Sequence, residues 1–161
     1  MEQLTTGRIS LRRTGTYAGA PVAGFVTALH NSRRAHEAIR ATAYALRDCV
    51  KAGPPLTDLG RLRMNLANTV REHLPTQQGW NKEARGYFAD QMPTYERIME
   101  EDRELRLRYS DHIRRWSSNA IASNVPAYAA DVATLVERLD RYLRSLEHEL
   151  YKPMHQAGIE A

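Results

Sequence analysis

The feature that most constrains this chain is a seam running from Val22 to Val50. Stepping by alternate threes and fours meets Phe25, Leu29, Ser32, His36, Ile39, Ala43, Leu46 and Val50, the stripe of a long amphipathic helix. A helix with such a stripe must bury it, and the rest of the chain supplies three further helices to lay against it. One position on the stripe is a histidine, where a core is ordinarily apolar.

Gly53-Pro54-Pro55 ends the first helix, because the glycine relieves the last turn and two prolines cannot continue it. Thr57 or Asp58 can cap a second helix with the stripe Leu59, Leu62, Leu66, Val70 and His73. Pro75 removes a backbone donor and crowds the preceding turn, which predicts a break or kink near Leu74. The period resumes with Gln77, Trp80, Ala84 and Tyr87 and stops before Met92-Pro93. A third helix, from Pro93-Thr94, carries Tyr95, Ile98, Asp102, Leu105, Tyr109, His112 and Trp116. Ser117–Asn119 and Asn124-Val125-Pro126 mark a connection with room for a short turn at Ala120-Ile121. The fourth helix faces inward with Val132, Leu135, Leu139, Leu143, Leu146, Leu150 and Met154, and Glu147 lies beside that stripe. Short loops between antiparallel helices predict an all-α, up-down-up-down four-helix bundle over residues 21–157. Residues 1–20, where Ile9 and Leu11 alternate among Thr and Gly, have no helical period and read as an extended N-terminal arm.

Composition narrows the function classes. A chain of 161 residues is one domain, long enough to bury a core without staples. The single cysteine, Cys49, excludes an internal disulfide framework and points to a reducing, cytoplasmic setting. No apolar h-region follows the first basic residues and no run of about 18 apolar residues occurs, so neither export nor a membrane partner is expected. The net charge of +4 is nearly all arginine. Those arginines are spread along every helix among Glu and Asp, with no basic face interleaved with aromatics, which argues against a nucleic-acid partner. The oligomeric state is not legible in the sequence.

Function is to be sought in the polar residues placed on apolar stripes. Counting inward at about 1.5 Å per residue, Glu83 and Asp102 each lie about eight residues from the end where the second helix meets the third, and Glu147 about seven. Three carboxylates from three helices thus fall at one level. On the first helix, depth alone selects His30, whereas the phase of the stripe selects His36. One imidazole and three carboxylates facing each other in a bundle compose an iron or manganese site. The plainer alternative is a set of satisfied core groups: His36 bonded to a neighbour, Asp102 paired with an arginine or with His36, and Glu83 and Glu147 bridging to Arg85 or Arg144. His73 and His112 fall on stripes toward the other end and read as lining or capping the core. His148 and His155 read as solvent-facing.

Four short words, His36-Glu-Ala-Ile-Arg, Glu83-Ala-Arg-Gly-Tyr-Phe, Glu100-Glu101-Asp102-Arg-Glu-Leu and Glu147-His-Glu-Leu-Tyr-Lys-Pro, give residues 25–155 a pattern that resembles the bacterial hemerythrin-like domain. That resemblance implies a bundle with a non-haem di-iron centre, held by a histidine on the first helix, His-x-x-x-Glu on the second, a histidine on the third and His-x-x-x-Glu on the fourth. Members bind oxygen, sense or buffer oxygen, nitric oxide or iron, or act on peroxide. His36, Glu83 and Glu147 fall on the pattern. Gly79 and Leu143 stand where the two paired histidines belong, and Asp102 replaces the third-helix histidine, so the ligand set is eroded.

Two function classes follow. In the first, the bundle has no cofactor, and Gly79 and Leu143 open and grease an interior pocket for a small organic molecule. Asp102 or His36 would transfer a proton, as in a cofactor-free cyclase, isomerase or dehydratase, while Trp80, Tyr87, Tyr109, Tyr142 and Leu143 shape the substrate. In the second, iron remains on His36, Glu83, Asp102 and Glu147, and the protein binds or senses oxygen, nitric oxide or iron. The aromatic residues also fit a simpler role as core packing.

Overall fold

A computed structural model of the chain describes the backbone of residues 22–160 and the side chains of residues 29–156, except those of Glu83, Tyr87, Ala89 and Asp90. The expected arm at 1–20 lies outside the described residues. The fold is all-α: α1 spans Val22–Ala52, α2 Leu59–Ala84, α3 Met92–Arg115, α4 Ser118–Ser123, α5 Val125–Ser145 and α6 Lys152–Glu160. A 3-10 stretch, Arg85–Gln91, joins α2 to α3, and a π turn, Leu146–Tyr151, carries α5 directly into α6. Among the described residues, no helix is long and apolar enough to cross a membrane.

The buried side chains of α1 are Leu29, Ser32, His36, Ile39, Ala43, Leu46 and Val50, the stripe read from its periodicity. That face lies against α2 and α5, and α3 packs on α5 in turn. α1 stops because Gly53 adopts φ +82°, which turns its N–H back onto the Val50 carbonyl at 3.2 Å. At the start of α5, Asn124 Oδ1 accepts from the Ala127 N–H at 3.1 Å, satisfying one of the free donors of the first turn.

A break or kink is expected near Leu74; α2 continues as a helix through Pro75, so no break ends it there. Pro75 is exposed, and so is Arg71 one turn earlier, so water can satisfy the carbonyl that the proline deprives of its donor. The interruption comes later, at Phe88, whose backbone leaves helical geometry at φ −109° and ψ 23°. Its ring is fully buried, and burial of that size contributes about 1.5–3 kcal/mol.

Two apolar clusters stack along the helices. One includes Leu29, Phe88, Ile98, Leu146 and Met154; the other includes Leu46, Leu66, Trp116, Tyr128 and Val132. Leu139 packs against both.

Candidate functional site

His36 is 1% exposed, and its Nδ1 lies 3.0 Å from Glu147 Oε1 on the π turn. An ionised carboxylate can only accept, so Nδ1 is the nitrogen that carries the proton. Arg40, one turn further along α1, donates to both oxygens of that carboxylate, Nη1 to Oε1 at 3.0 Å and Nη2 to Oε2 at 3.2 Å. Burial pushes the Glu147 carboxyl up, but the hydrogen bonds from His36 and Arg40 and the guanidinium charge outweigh it and bring it down to about 2. Arg40 Nε also stands 3.6 Å from Asp140, which accepts from the Tyr44 hydroxyl at 2.7 Å.

The His36 ring stacks on Tyr151, with centroids 5.6 Å apart and planes at 15°. A regular α-helix continued from Leu143 would turn Tyr151 about 80° away from the core. The π turn takes in one extra residue without its share of rotation, and so returns Tyr151 to the interior. The hydroxyls of Tyr151 and Ser32 are both buried and complete no well-formed hydrogen bond. Burial holds Tyr151 well above the ordinary phenol range; neighbouring Ser32 offsets part of that, and the charges of Glu147 and Asp102 add to it. The two carboxylates thus lie around one tyrosine.

The residues that meet here suit an ion pair better than a resident metal. A guanidinium holds both oxygens of the carboxylate that touches His36, so a metal ion placed there would face a fixed positive charge. Among the described residues, no three His, Cys, Asp or Glu side chains are grouped to hold a metal ion.

Where the two apolar clusters meet lies a partly open pocket of about 90 Å³. Its walls are side chains such as Ile39, Ala43, Leu66, Val132, Leu139 and Leu143, and its polar lining is Gln77, Asp102, Arg106, Tyr109 and Tyr142. Asp102 is buried and receives Arg106 Nη2 on Oδ2 at 2.7 Å, while the Arg106 side chain remains 45% exposed. Tyr142 Oη accepts from Gln77 Nε2 at 2.7 Å and from Asn81 Nδ2 at 3.4 Å. Burial first, and then the charge of nearby Asp102, hold Tyr142 well above the ordinary phenol range. The Tyr95 hydroxyl donates to the Asn81 main-chain carbonyl at 2.8 Å.

A second histidine node lies beside the other apolar cluster. His112 Nδ1 is 2.7 Å from Asp131 Oδ2, which also accepts the Trp116 indole N–H at 2.7 Å. The His112 ring stacks on Tyr128 at 5.5 Å, and Trp116 meets the same tyrosine edge-on at 5.2 Å. Burial, with the charges of Arg63 and Arg108, lowers the His112 pKa against the opposing pull of Asp131. The Tyr128 hydroxyl is buried without a hydrogen-bond partner, and burial pushes it up to about 12.

Of the residues singled out in the sequence, Asp102, Tyr109, Tyr142 and Leu143 line the cavity. His36 and Glu147 meet each other, and the partner of Asp102 is Arg106. Trp80 packs against the first apolar cluster. The side chains of Glu83 and Tyr87 lie outside the described residues. Gly79 was expected to open the interior, but it is exposed with open space where a Cβ would stand, so it faces water. His30 and His148 are exposed, and His155 is only partly so.

Sequence reasoning missed Arg40, Arg106 and Tyr151. The two arginines stand four residues after His36 and Asp102, the spacing at which helical side chains pair, and that signal was available. Tyr151 depends on the π turn, for which the stripe of the fourth helix gives no sign. Comparison of the chain with protein-family models, with curated proteins and with solved structures gives no match in any of the three.

Proposed function

We propose that this protein is a hemerythrin-like, up-down-up-down four-helix bundle, preceded by an extended arm, that holds a small organic molecule in its interior cavity and needs no resident metal. The observation that carries the reading is the cavity itself: apolar walls closing on a short polar end built from Asp102, Tyr142 and Gln77. Binding sites for small molecules have this composition, mostly apolar with a few convergent polar groups. Dry cavities of roughly 150 Å³ take up benzene or xenon, so a space of about 90 Å³ suits a molecule smaller than benzene.

Asp102 is the group placed to hold the ligand or to take a proton from it. His36, bonded to Glu147 and stacked on Tyr151, positions α1 against the π turn. The charge pattern favours neither nucleic acid nor membrane as a partner, and the working compartment on this reading is the cytoplasm.

Thermal unfolding with and without cyclopentane tests the proposal, with Ala43→Leu as the cavity-filling control. Saturation at about ten times Kd should raise stability by about 1.4 kcal/mol, a few degrees in Tm, and Ala43→Leu should abolish the shift. The absence of any shift in the unsubstituted protein would remove the binding site. Iron retained at about one or two per chain after purification without chelator would replace this reading with the oxygen-, nitric oxide- or iron-binding one.

A further inference from the structure

We infer that the occupant of the pocket is a short linear carboxylate, its tail between the apolar walls and its head group at an arginine-lined mouth between α2 and α3; the inference rests on the pocket being a binding site. The place of the mouth follows from how the helices pack. α1 lies against α2 and α5, and α3 against α5, whereas α2 and α3 make few direct contacts, although both line the pocket. The slot between them is where the pocket meets solvent, and half-exposed Arg106 stands on its rim.

Two hydrogen bonds fix the register across that slot. Tyr95 donates to the Asn81 carbonyl near the junction of α2 and α3, and Arg63 Nη2 donates to the Trp116 carbonyl at 2.7 Å near their far ends. The two helices are therefore antiparallel. Seven residues along each from Arg63 and Trp116 bring Val70 level with Tyr109, and seven more bring Gln77 level with Asp102. All four line the pocket, as that register requires. Arg71, next to Val70 and exposed, thus stands at the level of Tyr109. Burial raises the Tyr109 hydroxyl and the charges of Arg63 and Arg71 oppose it, a second sign that both guanidinium groups lie near this level.

Among the described residues, neither Arg63 nor Arg71 has a carboxylate within ion-pair distance. Unanswered positive charge beside an apolar slot favours an anion with an aliphatic body, and a guanidinium matches a carboxylate in shape as well as in sign. Asp102 does not oppose it. Its charge is answered by Arg106 at 2.7 Å, and it lies about 10 Å from Tyr109 along α3, toward the far end of the chain. An alcohol of the same length fills the walls equally but leaves the charge at the mouth unanswered, and an ammonium adds to it. A space of about 90 Å³ suits a tail of about four carbons.

Calorimetry at pH 7.5 with pentanoate, 1-pentanol and n-pentylammonium tests this, on the unsubstituted protein, Arg71→Gln and Arg71→Glu. Pentanoate should bind about fivefold tighter than 1-pentanol or more, and pentylammonium more weakly than either. Arg71→Gln should cost pentanoate about threefold and leave 1-pentanol within about twofold, and Arg71→Glu should reverse the order of the two. Arg71 is exposed, so both variants keep the core, and their affinity for 1-pentanol reports that the pocket is intact. Equal or tighter binding of 1-pentanol or pentylammonium to the unsubstituted protein, or a pentanoate affinity unmoved by Arg71→Glu, would overturn the carboxylate assignment. In that event 1-pentanol binding would leave the pocket standing as a site, whereas failure of all three probes would remove both claims.

Discussion

The two buried histidines are set into the same figure and come out differently. Each places Nδ1 on a carboxylate about one-fifth exposed and lays its ring flat on a tyrosine whose hydroxyl is buried without a hydrogen-bond partner. The carboxylates differ in their other company. Glu147 is gripped by both terminal nitrogens of Arg40. Asp131 takes the neutral indole N–H of Trp116, and the nearest Arg108 nitrogen is 3.9 Å away. At the first node a fixed charge overcomes burial and the carboxyl falls to about 2. At the second, burial and the charges of Arg63 and Arg108 push the imidazole down against the pull of Asp131. Against burial, the hydrogen bonds from His112 and Trp116 and the charge of Arg108 lower the Asp131 carboxyl as well, so the nodes differ in how the carboxylate is held, by a two-pronged guanidinium at one and by two ring nitrogens at the other.

The largest effect that could break this comparison is the loss of Glu147. Glu147→Ala leaves His36 without its carboxylate and Arg40 with only the more distant Asp140, and we expect about 2–4 kcal/mol of destabilisation in urea melts, the cost of breaking a partly buried pair. A loss under about 1 kcal/mol would show that Arg40 simply turns to solvent.

Acid should sharpen the contrast. Because the Glu147 carboxyl lies lower in the folded protein, the unfolded chain binds more protons there, and stability present above pH 4.5 is lost as pH falls through about 2. The share due to this group is on the order of 2–3 kcal/mol, and Glu147→Gln should flatten that limb of a stability-against-pH curve. His112 also sits lower when folded. Protonation of the unfolded chain therefore erodes stability as pH drops below 6.5, and His112→Gln should flatten that earlier limb while leaving the later one.

Removing Asp131 should matter less. Asp131→Ala takes away two hydrogen bonds without stranding a nearby charge, an expected loss of about 1–2 kcal/mol. A loss equal to that of Glu147→Ala would mean that Arg108 contributes despite its distance.

Smallest of all should be Tyr128→Phe and Tyr151→Phe. Each deletes a buried hydroxyl that has no hydrogen bond to lose, so the change should stay within about 1 kcal/mol or stabilise. A loss above about 2 kcal/mol in either would reveal a buried water serving that hydroxyl.

Helix phase was legible because it is a one-dimensional property: the period through Leu29, His36, Ala43 and Val50 sets which face is buried whatever lies opposite. The placement of Asp102 in an apolar lining followed from the same logic. Pro75 does not end α2, where the carbonyl it leaves without a donor, that of exposed Arg71, can turn to water, and exposure is a tertiary fact. Gly79 misled for that reason, since the sequence does not say which glycines face water. The pairing of His36 with Glu147 lay within reach of counting depth along the helices, but the grip of Arg40 and the stacking of Tyr151 required knowing that the helix widens after Ser145.

That widened ring at Leu146–Tyr151 carries one residue more than a regular helix needs, and the flanks remain in phase because the surplus is absorbed locally. Shortening the chain by one residue there would therefore regularise the coil, keeping Leu143 on one side and Met154 on the other in their seats. Removing a residue ahead of Tyr151 would leave Tyr151 facing His36, whereas removing Tyr151 itself would bring a different side chain there. A length change of a single codon could edit the identity of this node without disturbing the scaffold around it.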